Sequence, residues 1–132
     1  MSSEISSSSA DTNTSAGHLV LSASTLAGDD VYNRQGIKLG SIKEIMLDVP
    51  NGTVSYAVLS CGGFLSLGEK LFAIPWRALQ VDTEKKRFVF DADEARLKDA
   101  PGFDNDHWPN MADASWAKGI HSYYGTQWDM RP

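Results

Sequence analysis

The 132-residue chain is 42% hydrophobic and 10% aromatic, with a formal net charge of −5. That composition supports one domain with a packed core and argues against global disorder. The acidic balance disfavours a nucleic-acid backbone or an anionic membrane as the main partner, since both need a basic footprint.

Residues 1–17 are mostly Ser, Thr, Asp and Asn and read as a disordered tail with almost nothing to bury. The start has neither a basic n-region nor an apolar h-region, so no secretory signal is expected. No stretch is long enough to span a bilayer. Order is expected from His18, and Ser24 to Gly28 reads as a single capped turn. Asp30–Tyr32 is a short strand, followed by a turn at Asn33–Gly36 in which Gly36 is free to take positive φ.

Lys38 to Val49 reads as a long strand. Leu39, Ile45, Leu47 and Val49 share one parity, and Glu44 and Asp48 the other. Ile42 and Met46 interrupt the charged side, so that face is partly covered. Pro50-Asn51-Gly52 closes a hairpin. Thr53 to Cys61 returns with Val54, Tyr56 and Val58 on one face and Ala57, Leu59 and Cys61 on the other. Neither face is polar, which predicts a central strand buried on both sides.

Gly62 to Gly68 is a glycine-bounded apolar loop carrying Phe64, Leu65 and Leu67. Lys70–Ile74 is the next strand, stopped by Pro75. Leu79–Val81 and Arg87–Phe90 flank a charged hairpin loop, with Phe88 and Phe90 on one face. Beyond residue 92 the period changes. Asp93–Lys98 reads as a short helix with acids early and bases late, as the helix dipole favours. Asp113–His121 reads as a second one. Its stripe of Trp116, Ile120, Tyr123 and Tyr124 is expected to pack on the sheet.

No set of residues carries an obvious chemistry. Cys61 is the single cysteine, so no intrachain disulfide forms, and its apolar strand context reads as a buried, inert thiol. His18, His107 and His121 make no close pair at metal-ligand spacing. Asp104-Asn105-Asp106 begins like a calcium loop, but Trp108-Pro109 stands where glycine and further ligands belong. There is neither a nucleophile elbow nor a phosphate loop. No enzymatic activity, metal or cofactor is expected.

Three segments taken together resemble a known family. They are Val31-Tyr32-Asn33-Arg34-Gln35-Gly36, the run from Gly62 to Trp76, and Ala100-Pro101-Gly102-Phe103-Asp104. In order and spacing they are similar to the PRC-barrel family, over roughly Leu19 to Gly125. That family takes its name from the cytoplasmic domain of the photosynthetic reaction-centre H subunit and includes the C-terminal domain of the ribosome-maturation factor RimM. The resemblance implies a mainly β fold: a small barrel of about six short antiparallel strands over 18–92, with short C-terminal helices and an extension over 93–132 packed on it. It also implies an interaction module.

The expected function is therefore a non-enzymatic, homodimeric, cytoplasmic adaptor that meets an unidentified protein partner, without direct nucleic-acid contact or membrane insertion. The expected contact residues are Phe64, Leu65 and Leu67, with Trp108, Trp116 and Tyr124 beside them, because exposed apolar patches mark interfaces. Two alternatives stand next to it: a barrel that holds a small apolar molecule, and a ribosome- or RNA-associated factor.

Overall fold

A computed structural model describes residues 14–15, 18–62 and 69–128. The serine-rich segment up to residue 13 and the loop holding Phe64, Leu65 and Leu67 lie outside the described residues. Strands β1 (Thr14–Ser15) and β2 (His18–Leu19) pair with each other. Helix α1 (Ala23–Leu26) is capped by Ser22, whose hydroxyl accepts from the Thr25 amide at 3.1 Å.

Six strands form the main sheet: β3 (Asp30–Tyr32), β4 (Lys38–Asp48), β5 (Thr53–Cys61), β6 (Lys70–Pro75), β7 (Leu79–Asp82) and β8 (Arg87–Phe90). Their order is β6-β5-β4-β3-β8-β7. One pairing departs from the antiparallel pattern: β3 and β8 run parallel, with Val31 opposite Phe88. The chain travels through four strands between them, so no hairpin dictates their direction. The edge strands β6 and β7 are joined through Pro75 and a 3-10 turn, Trp76–Ala78. The sheet therefore curls as a half-barrel.

The inner face holds Val31, Leu39, Ile42, Ala57, Leu59, Cys61, Phe72, Ile74, Phe88 and Phe90, all buried. Trp76 meets Phe88 edge-on at 5.8 Å between centroids. The expectation of a strand buried on both faces holds for β5. Ala57 and Leu59 point inward, while Tyr56 lies in a second cluster on the outer face with Ala73 and Ile120. That outer cluster exists because α3 (Ala114–Tyr124) lies across it. Asp113 caps the N-terminus of α3, and Gly125, at φ 72, ends the helix in the left-handed region.

The single-parity reading of β4 fails. The ladder slips three times: Leu39 is extra opposite β3, Lys43 is extra opposite β5, and Ser55 is extra on β5. Each bulge turns the following residues over. Leu39 and Ile42, of opposite parity, thus share the inner core. Val54 leaves the Tyr56 side and pairs with Leu47.

Two local devices hold the curvature. Gly40 lies so close to β5 that a Cβ there would stand 2.3 Å from the Ser60 carbonyl oxygen. Gly102 plays the same part at the sheet edge, where a Cβ would stand 2.8 Å from the Leu71 oxygen. This closeness lets Phe103 exchange two backbone hydrogen bonds with Leu71, at 2.8 and 2.9 Å. The bridge covers part of the β6 edge, which otherwise presents unpaired amides.

Candidate functional site: an apolar arm and its groove

Strand β4 outruns its neighbours. Its ladder with β3 stops at Ser41, and β6 meets β5 only from Tyr56 onward. Past those points β4 and β5 continue as a two-stranded arm, with Leu47 opposite Val54 and Asp48 opposite Thr53. Two residue pairs at roughly 3.3 Å per residue make the paired part of the arm about 7 Å long. Its tip is the loop Val49–Gly52, closed by the Gly52 amide donating to the Asp48 carbonyl at 2.9 Å. Gly52 sits at φ 67, which glycine adopts without a Cβ clash. The Asn51 side chain donates to the Asp48 carboxylate at 2.8 Å.

Apolar side chains continue along the arm after the core has ended. Leu47 is 61% exposed and Val49 is 78% exposed. On the inner side a cleft of about 220 Å³ opens, lined by Leu21, Leu26, Ile45, Val54, Trp76 and Val81. On the outer side a wider groove runs between the arm and α3, with Met46, Tyr56, Met111 and Trp128 on its walls. Leu47, Val54 and Trp76 line both depressions.

The groove also carries polar groups, among them Asn51, Thr53, Ser55 and Gln127. Asp48, Arg77 and His121 line it. The His121 ring is tied at both nitrogens, Nε2 to the Tyr56 hydroxyl at 3.2 Å and Nδ1 to the Thr126 hydroxyl at 2.7 Å. Burial, helped by the Arg77 guanidinium, holds the His121 pKa below its usual value. Burial also pushes the Tyr56 hydroxyl up. Arg77 makes no hydrogen bond or ion pair with the described residues, and it is exposed.

The other titratable groups have structural duties. Burial pushes the Cys61 thiol up to about 11, against a small opposing pull from Lys70, so it stays protonated at neutral pH. Glu69 accepts from the Ser60 hydroxyl and from Lys43 Nζ, the latter at 3.0 Å, and the two bonds hold its pKa down. This bracket joins the end of β5 to the start of β6. Asp104 accepts from the Asp106 amide at 2.9 Å and meets His107 Nδ1 at 2.7 Å, as an exposed turn. Among the described residues, no three His, Cys, Asp or Glu side chains converge as a metal site. Among them, too, no helix is long and apolar enough to cross a membrane.

The expected contact residues that the structure describes, Trp108, Trp116 and Tyr124, are not among the residues lining the two depressions. Trp108 packs on Phe103 at 5.1 Å between centroids. Trp116 meets Tyr56 edge-on at 5.2 Å. Tyr124 stacks edge-on with Phe90 and Tyr123, and its buried hydroxyl has no hydrogen-bond partner among the described residues. All three help seat the C-terminal segment on the sheet. Sequence reasoning passed over Leu47, Val49 and Trp128. Leu47 and Val49 stood in the apolar parity of β4, and nothing local marks where the neighbouring strands stop.

A family model described as the PRC-barrel domain matches residues 19–97. No curated protein matches the chain. Among solved structures, a 16S ribosomal RNA processing protein, RimM, from Pseudomonas aeruginosa aligns at 16% identity and a TM-score of 0.39. The alignment covers 57% of this chain and 45% of that one, so it spans under half of the RimM protein. With its curled six-stranded sheet and the family match from β2 into the short helix α2 (Glu94–Lys98), this chain belongs to the PRC-barrel family.

Proposed function

We propose that the chain is a non-enzymatic, homodimeric protein-interaction module that works in the cytoplasm through the β4–β5 arm. One observation carries this reading: Leu47 and Val49 remain 61% and 78% exposed on the two-stranded arm, beside two depressions that the described residues do not fill. Contiguous exposed apolar surface on a folded domain is costly in water and is commonly retained where a partner covers it. The net charge of −5 supports a protein partner over direct phosphate contact. Affinity enrichment from native lysate, wild type beside Leu47→Asp, tests the reading. Specific proteins should be captured by the wild type and lost in the variant, with the circular dichroism of the two unchanged. An identical set of captured proteins would refute the arm as the contact.

A second reading rests on the 220 Å³ inner cleft, whose lining is almost wholly apolar. Such a cleft suits a small apolar molecule. Thermal-shift screening with fatty acids and aromatic metabolites decides it, and a Tyr substitution at Ala23 on the cleft wall should remove any stabilisation found.

A further inference from the structure

We infer that the occupant of the outer groove is the β4–β5 arm of a second copy, the two arms being exchanged about a two-fold axis so that Asp48 of each copy meets Arg77 of the other. This rests on the interaction-module reading and names its partner. A two-fold interface must be self-complementary: one patch has to carry both the projection and the recess that receives it. Here the arm is itself one wall of the groove, so the two halves lie on a single surface. An unrelated partner needs only one half of that surface, whereas a second copy uses both.

Charge and size point the same way. The arm bears the carboxylate of Asp48, and the groove bears the guanidinium of Arg77, which has no ion pair or hydrogen bond among the described residues. The exchange brings these opposite charges together twice. It also offsets, at the contact itself, the repulsion expected between two chains of net charge −5. Met46, Met111 and Trp128 supply an apolar, adaptable lining for Leu47 and Val49. The groove is lined by 20 residues, against the roughly 20–30 a side that a stable interface uses.

The test is a light-scattering and sedimentation series on the purified full chain. The wild type is expected to be a concentration-dependent dimer. Arg77→Glu should weaken association on the order of 100-fold, because it sets like charges face to face at two symmetric places. Adding Asp48→Arg to Arg77→Glu should restore the dimer. Asp48 also braces the arm's tip loop, so Val49→Asp serves as an independent variant. It lies on the exposed tip and should give a monomer with wild-type circular dichroism. A monomeric wild type, an Arg77→Glu dimer of unchanged affinity, or a folded double variant that stays monomeric would each overturn the exchange. A monomeric wild type that still captures a partner from lysate overturns the exchange and the homodimer, and leaves standing the reading of the arm as a contact for another protein.

Discussion

Replacing glycine by alanine at two positions should have opposite effects, and the contrast tests the account of curvature. At Gly40 the new Cβ would stand 2.3 Å from the Ser60 carbonyl oxygen and 3.1 Å from a Leu59 methyl. Carbon–oxygen contacts begin near ~3.3 Å, so β4 and β5 would have to separate by about 1 Å. The obstacle is backbone, inside the ladder where Ser41 pairs with Ser60, and it cannot swing aside as a side chain would. Overpacking of this kind costs about 1–3 kcal/mol, and a strained ladder bond adds about 1 kcal/mol. At Gly119, within α3, a Cβ meets nothing within 4 Å. There alanine should stabilise the helix by about 1 kcal/mol, because glycine loses more backbone entropy on folding. The two variants should therefore differ by about 4 kcal/mol. With a urea dependence of about 2 kcal/mol per molar, their midpoints should lie roughly 2 M apart. Urea unfolding followed by circular dichroism, with equal slopes, reads this directly. Equal midpoints for Gly40→Ala and Gly119→Ala would refute the claim that close approach at Gly40 sets the curl.

Other substitutions probe other links. Asn33 is 2% exposed, and its side-chain oxygen accepts from the amides of Gln35 and Ile37 at 3.0 and 2.9 Å. Asn33→Ala orphans both donors and should cost about 2–3 kcal/mol in urea unfolding, while Asn33→Asp, which keeps the acceptor, should cost less. Lys86 occupies the left-handed region at φ 54, where a lysine is strained by about 1–2 kcal/mol. Lys86→Asn should therefore raise the melting midpoint, by about 0.5–1 kcal/mol of stability. His121 has a folded pKa below its unfolded value of 6.5, so the unfolded chain binds its proton first as the pH falls. The contribution of neutral His121 is present in full above the unfolded pKa. It is lost as pH drops from there through the depressed folded pKa. Stability measured down through that range should decline, and His121→Gln should flatten the decline; a slope unchanged by the variant would refute it.

Much of this protein was written locally. The caps at Asp93 and Asp113, the Pro50-Asn51-Gly52 turn and the stop at Pro75 depend on neighbours a few residues away, so chain order suffices to read them. The doubly apolar β5 was legible for the same reason, since both of its faces carry the same message in sequence. Tertiary structure alone decided what happened to the alternation along β4. Bulges at Leu39, Lys43 and Ser55 shift the register between neighbouring strands, and a bulge leaves no mark in one strand's composition. The parallel pairing of β3 with β8 likewise depends on a return path of more than fifty residues. The arm is the sharpest case. Leu47 and Val49 look like core residues because their parity matches Ile45, yet they lie beyond the ends of β3 and β6. Whether an apolar side chain becomes core or contact surface is set by what stands opposite it, and that is a property of the assembled sheet.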